Sequence, residues 1–401
     1  MRALCWMGAG ELAVRQVPDP ELRNGHDAIV RVRRSAACGA DLSLLAGRGP
    51  AVGEVLGHEF VGEVVEVGPE VRRHRVGDRV VVCSSVSCGS CWYCRRELHS
   101  CCDNGSTDPE AGEATWGHPV AGCFGQPRAQ GGFAGSHAEY VRVPYADVGA
   151  FAVPEPVSDD RALFASDAAP AGWMGADLGG VRPGDVVAVW GAGAVGQVAA
   201  RAARLLGAER VVVVDRHPDR LRAAERHAGA ETLDYRRVDV AAELRDRSGG
   251  RGPDVCVDAG GAADGARSLG DRLTGAPPRP AAVREAVHAC RKGGSVVVLG
   301  AHPAVVDRFP LGMVTAKGLT VRGARQHGPR YIPMLLDRMA RDELRTEYLA
   351  THHLPLDRAP EAYTPLRTRA PGCLRPSSTP LPPPPPPPHP PTTTPPLRQP
   401  R

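Results

Sequence analysis

The run Val186-Val187-Ala188-Val189-Trp190-Gly191-Ala192-Gly193-Ala194-Val195-Gly196 leaves this chain few folds to choose from. A short strand, apolar on both faces, runs at once into G-x-G-x-x-G, then a helical stretch to Leu206, then a second apolar strand ending on Asp215. Such strands belong in a parallel sheet with helices covering both faces. The three glycines do separate jobs. Gly191 permits a tight turn, Gly193 lets backbone amides approach a pyrophosphate, and Gly196 lets the helix pack closely on the strand. Ala194 and Val195 fall in the same phosphate-facing turn. Asp215, 19 residues past Gly196, is placed to accept hydrogen bonds from ribose hydroxyls and to repel a 2′-phosphate, which favours NAD over NADP. Arg216 blunts that preference, and Arg220 joins it among the candidate cofactor-binding residues. The competing reading is a glycine-rich turn with no ligand.

Short buried strands recur over residues 211–214, 255–257, 296–299 and 319–321, alternating with helical stretches, so this half of the chain reads as doubly wound α/β. Residues 1–150 read differently. Alternation in Ala28-Ile29-Val30-Arg31-Val32-Arg33 and apolar runs at 60–67 and 79–83, punctuated by Gly57, Gly62, Gly68 and Gly77, predict antiparallel strands. The expected division is a β-rich domain over 1–160, an α/β domain over 161–325, a return to the first domain over 326–375, and a tail over 376–401. Residues 262–280 show no period and read as a surface insertion. A helix beyond Tyr331 carries Ile332, Leu335, Leu336 and Met339 on one face. The tail holds 14 prolines in 26 residues, seven of them consecutive at 382–388. It suits polyproline II or disorder, either as a ligand for a proline-recognition module or, the reading preferred here, as an inert or out-of-frame extension.

A net charge of +4, with arginines spread along 401 residues, lacks the basic stripe of a nucleic-acid binder. No apolar run reaches the roughly 18 residues of a membrane span, and the N-terminus has no signal-like apolar region, so a cytoplasmic protein is expected. Twelve cysteines in a reducing compartment are then read as metal ligands, reactive thiols or packing residues. Cys5, Cys83, Cys101, Cys123, Cys256, Cys290 and Cys373 need no metal. Cys88, Cys91, Cys94 and Cys102 form C-x2-C-x2-C-x7-C, a spacing that suits tetrahedral zinc. Four thiolates close the coordination sphere, so that ion would hold a loop and leave no position for substrate. Cys101 competes with Cys102 as fourth ligand, and spacing analogy selects Cys102. A looser set is Cys38-Gly39-Ala40-Asp41 with Leu56-Gly57-His58-Glu59. A thiolate and an imidazole beside a carboxylate make the ligand mix of a catalytic zinc. Asp167, in Phe164-Ala165-Ser166-Asp167-Ala168, is the candidate third ligand, although Ser166 or Asp167 could equally cap a helix.

The order Cys38, Gly57-His58-Glu59, the four-cysteine loop, Gly191-x-Gly193-x-x-Gly196 and Asp215 resembles the zinc-dependent medium-chain alcohol dehydrogenases over residues 1–375. More narrowly, Gly131-Gly132-Phe133-Ala134-Gly135-Ser136-His137-Ala138-Glu139-Tyr140-Val141-Arg142-Val143-Pro144, Ser166-Asp167 and Asp307-Arg308-Phe309-Pro310 resemble the glutathione-independent formaldehyde dehydrogenase branch. That resemblance implies a GroES-like β-rich catalytic domain, a Rossmann domain, NAD, and two zinc ions per chain. It implies that Cys38, His58 and Asp167 hold the catalytic zinc, with aspartate where other members use cysteine, and that Glu59 sits behind it or exchanges onto it. The reaction implied is hydride transfer between NAD and a small alcohol or aldehyde hydrate, in a homodimer or homotetramer. Two departures stand out. The usual proton-relaying hydroxyl two residues after the first zinc cysteine is Ala40, which leaves Ser43 or water to substitute. The expected closing strand gives way to the proline tail, which would leave its neighbour unpaired. Two other readings are a zinc-independent NADPH quinone or enone reductase on the same fold and a catalytically impaired binding protein.

Overall fold

In the computed structural model of the chain the described residues are 1–8, 10–45, 51–260, 281–302, 306 and 308–380. The expected insertion over 262–280, Asp307, the proline run beyond 380 and the side chain of Ser43 lie outside them.

The chain opens with an antiparallel hairpin of β1 (Arg2–Gly8) and β2 (Glu11–Gln16). Next come β3 (Ala28–Ala36), β4 (Glu59–Val67), β5 (Arg79–Val82), the short pair β6 (Ser85–Val86) and β7 (Gly122–Cys123), β8 (Tyr140–Val143) and β9 (Ala150–Ala152). Strand β3 shows why the alternation is legible: Val30 and Val32 are buried, whereas Arg31 points outward to Glu63 on β4 at 2.8 Å. The register that matters for function pairs Ala36 with Glu59, so the chain leaving β3 and the chain entering β4 emerge side by side.

The second half is a sheet of six parallel strands: β10 (Val186–Trp190), β11 (Arg210–Asp215), β12 (Glu231–Asp234), β13 (Val255–Asp258), β14 (Ser295–Val298) and β15 (Thr320–Gly323). Their spatial order is β12-β11-β10-β13-β14-β15, with the chain reversing direction across the sheet beside β10. Both faces are covered. Val187 and Val189 face one side with Val211, Val213, Val257 and Val297, while Ala188, Trp190, Val212 and Val214 face the other. The first of these faces continues without a break into Val61, Val81, Phe164 and Met174, so one apolar core binds the two halves. Helix Gly328–Ala340 closes that core with the expected stripe Ile332, Leu335, Leu336 and Met339. Among the described residues no helix is long and apolar enough to cross a membrane.

Two last strands, β16 (Ala350–Pro355) and β17 (Arg375–Thr379), rejoin the first sheet, whose order is β16-β17-β3-β4-β5-β9 with β8 also on β3. The expected loss of a closing strand to the proline-rich tail is therefore overturned. Strand β17 pairs in parallel with β16 and in antiparallel with β3, through Ser377 with Ala36 and Ser378 with Ser35, so β16 is not left unpaired. Pro376 is tolerated near the strand start because the ladder there uses its carbonyl, which accepts from the Ala37 amide at 2.8 Å, and needs no donor.

Candidate active site and metal centres

Strand β10 delivers the chain to Gly191 at φ 96°, a left-handed turn that a Cβ would strain, and the Gly191 amide donates to the Val214 carbonyl at 2.8 Å. A Cβ on Gly196 would stand 1.8 Å from the Gly191 oxygen, whereas one on Gly193 would meet nothing within 4 Å. The turn is tight where helix Ala194–Leu205 meets the strand and open at Gly193, its N-cap. The first amides of a helix have no acceptor within it, so the turn offers donors to an anion. Asp215 is fixed beside it: one carboxylate oxygen accepts from the Ala192 amide at 2.7 Å, the other from Arg216 and His217 amides at 2.6 and 2.9 Å. Arg220 lies on the next helix and donates to the Cys373 carbonyl at 3.1 Å, burial drawing its pKa down against the pull of Asp215.

The second constellation comes together at the β3 and β4 ends. Cys38, His58, Glu59 and Asp167 each bring one ligand atom within 4.8 Å of the others. Asp167 joins from the turn before helix Ala168–Gly179. It occupies the N-cap position, yet its side chain makes no capping hydrogen bond. Its Oδ1 instead accepts from the Ser84 hydroxyl at 2.5 Å, and its Oδ2 stands 4.0 Å from His58 Nε2. On the other side of the ring, His58 Nδ1 lies 3.2 Å from Asp41 Oδ1. Burial alone would lower the His58 pKa, but Asp41 and the Cys38 sulfur outweigh it and carry it well above the usual imidazole value. Burial pushes the Cys38 thiol up. Glu59 is fully buried with no hydrogen-bond partner on either oxygen. Arg375 stands 3.4 Å away, and burial pushes the Glu59 carboxyl up to about 7 against that guanidinium. A thiolate, an imidazole and carboxylates converging at this spacing fit a zinc ion, whose tetrahedral ligands lie about 3.4–3.8 Å apart.

Strand β6 leads into the four-cysteine loop. Cys88, Cys91, Cys94 and Cys102 gather within 4.8 Å, while Cys101 is exposed and outside the group. Cys91 and Cys102 sulfurs are 3.9 Å apart. Backbone amides point at the sulfurs: Ser90 and Cys91 donate to Cys88 at 3.4 and 3.3 Å, and Cys88 and Asn104 donate to Cys102 at 3.3 and 3.4 Å. Hydrogen bonds from Cys94 and these amides hold the Cys102 thiol down at about 5. Such a loop stabilises thiolates and fits a closed zinc site.

Several residues that shape the site lay outside the expected set. Asp41 stood only three residues from Cys38, a signal within reach. Ser84, Gln326, Tyr363 and Arg375 carried none, and His137 stood only within the Gly131–Pro144 resemblance. Tyr363 donates to Asp41 Oδ2 at 3.2 Å and contacts His137 Nε2 at 3.0 Å, while Gln326 donates to Ser84 at 2.8 Å.

Comparison with known proteins agrees with this geometry. Residues 24–155 match the alcohol dehydrogenase GroES-like domain and residues 194–269 match the zinc-binding dehydrogenase model. A zinc-type alcohol dehydrogenase-like protein of Schizosaccharomyces pombe is 30% identical, the match covering 94% of this chain and 90% of that one. Formaldehyde dismutase of Pseudomonas putida is 32% identical over 90% of this chain and 94% of its own. Among solved structures, an alcohol dehydrogenase of Thermus sp. ATN1 superposes with a TM-score of 0.81 at 33% identity, covering 94% of this chain and 99% of that one. A zinc-binding dehydrogenase of Sinorhizobium meliloti, solved with NADP, gives 0.75 at 27% identity, covering 94% and 99%. A GroES-like domain joined to a doubly wound sheet defines the class, a medium-chain dehydrogenase. The chain belongs to the zinc-type alcohol dehydrogenase family of oxidoreductases.

Proposed function

We propose that this chain is an NAD-dependent zinc dehydrogenase that moves a hydride between a small alcohol or aldehyde hydrate and the nicotinamide, with two zinc ions per chain. The observation that carries the reading is the convergence of Cys38, His58, Glu59 and Asp167 in one protein with the Gly191–Gly196 turn. Zinc, when bound, supplies a Lewis acid that polarises the substrate oxygen and lowers its pKa. The chain does the rest. Asp41 stands 3.2 Å from His58 Nδ1, on the side of the ring away from the cluster, and Ser84 holds Asp167. Gly193 leaves room for the pyrophosphate, and Asp215, its carboxylate held beside the turn by the Ala192 amide, would accept from the adenosine ribose hydroxyls, which is the ground for NAD over NADP. Ala40 has no proton to pass, so the proton leaves through Ser43 or water. A homodimer or homotetramer in the cytoplasm is part of the proposal and rests on family likeness. A zinc-independent NADPH quinone or enone reductase would need neither cysteine-containing cluster.

Metal analysis of the purified chain together with a panel of alcohols and aldehydes, formaldehyde first, assayed for NADH and NADPH absorbance, tests this. Two zinc ions and NAD-linked turnover are expected. One zinc ion with no NAD-linked turnover on any panel member would sink it.

A further inference from the structure

Asp167 is a ligand candidate with two oxygens, and the chain treats them differently. The Ser84 amide donates to the Ser166 carbonyl at 2.9 Å, which anchors the serine backbone beside the aspartate. From there its hydroxyl reaches Asp167 Oδ1 at 2.5 Å, while Oδ2 is the oxygen facing His58. The direction of that hydrogen bond is set from behind. Gln326 Nε2 donates to the Ser84 oxygen at 2.8 Å, so the serine proton is left to point at the carboxylate, which only accepts. Gln326 itself is buried, with Nε2 also 3.3 Å from the Ser85 hydroxyl, and a Cβ on Gly328 would already stand 2.5 Å from its Oε1. Both residues are buried. Carboxylates bind metals through one oxygen or two, and a catalytic zinc keeps its fourth position only while its protein ligands supply three atoms.

We infer that Ser84, held by Gln326, is a positioning residue that confines Asp167 to one metal-facing oxygen and so keeps the fourth coordination position open for the substrate oxygen. The inference rests on the metal site proposed above. Removing the hydroxyl frees Oδ1 to close on the metal as a second ligand atom from the same side chain. Replacing it with threonine leaves the hydrogen bond in place. The test uses the full-length chain with cobalt(II) exchanged for the metal at Cys38, His58 and Asp167, read by its visible absorption, which is intense for four-coordinate and weak for five-coordinate cobalt.

The wild type and Ser84→Thr are expected to give the intense spectrum, and Ser84→Ala to lose about half of the intensity or more as coordination expands. Gln326→Leu is expected to shift in the same direction to a smaller extent, and it keeps the question answerable should Ser84→Ala fold poorly. Second-sphere losses of this kind also weaken metal binding by about 10- to 100-fold, read by chelator competition. Unchanged spectra in Ser84→Ala and Gln326→Leu overturn the inference, as does a loss in Ser84→Thr equal to that in Ser84→Ala. A wild type that takes up no cobalt beyond the four-cysteine loop overturns the metal site and this inference together, and so separates the two failures.

Discussion

Ala40 has its amide 3.4 Å from the Cys38 sulfur, so any side chain there starts beside the candidate metal site. Under the proposed reaction a hydroxyl at this point is placed to take the substrate proton. Ala40→Ser is therefore expected to raise kcat for alcohol oxidation at neutral pH, by up to about 100-fold if proton transfer limits turnover. Steady-state rates from pH 6 to 9 decide it, and an unchanged or lower kcat removes the missing hydroxyl as the limit. Single residues were legible in the sequence where a motif names them, as with Cys38, His58 and the glycine turn. Arg375 and Tyr363 were not, because Arg375 reaches Glu59 and Tyr363 reaches Asp41 across more than three hundred residues of chain. Neither periodicity nor spacing records such a contact. Asp167 falls between, since the sequence left it equally a helix cap, and the missing capping bond with the Ser84 contact speaks against the cap.

The glycine turn makes two substitutions that look alike behave differently. Gly193→Ala meets open space, so it should fold with an unchanged Tm yet bind NADH at least about tenfold more weakly, because the added methyl stands where backbone amides approach the phosphates. Gly196→Ala drives a Cβ into the Gly191 oxygen and should cost about 1–3 kcal/mol of stability or more, visible as a fall in Tm before any ligand is added. Thermal melts with and without NADH distinguish them. Equal effects of both changes on Tm would contradict this division. A similar contrast holds at the C-terminus. Cutting the chain after Pro380 preserves β17 and should leave NAD-linked activity intact, whereas cutting after Leu374 removes the strand between β16 and β3 and should lower Tm by many degrees. The strand was hidden in the sequence because proline composition dominates that stretch, while pairing depends on which side of Pro376 faces the ladder. The parallel strands were easier to read, since burial on both faces writes an unbroken apolar run.

Acid stability belongs to the whole molecule, because buried imidazoles are charged on unfolding. Burial pushes His137 and His327 down to about 4. The unfolded chain therefore takes up protons that the folded chain refuses as pH falls from about 6.5 towards 4. Stability is lost through that window, and below it these groups cost nothing further. For His137, 2% exposed, the loss is about 3 kcal/mol at most. His137→Gln should lose less Tm than wild type between pH 7 and pH 4.5, and parallel losses would remove His137 as a cause.

Gln326 and His327 are neighbours in the chain, but they lie against different candidate metal sites. Gln326 supports Ser84 and through it Asp167, while His327 Nδ1 accepts from the Ser100 hydroxyl at 3.0 Å, two residues before Cys102. Cys38 is 4% exposed, whereas Cys88 and Cys91 are half-buried. Peroxide treatment should accordingly inactivate the protein from the outside in. If the proposed zinc ions are bound, release from the loop is expected to precede any modification of Cys38, with the loss of turnover following the loop.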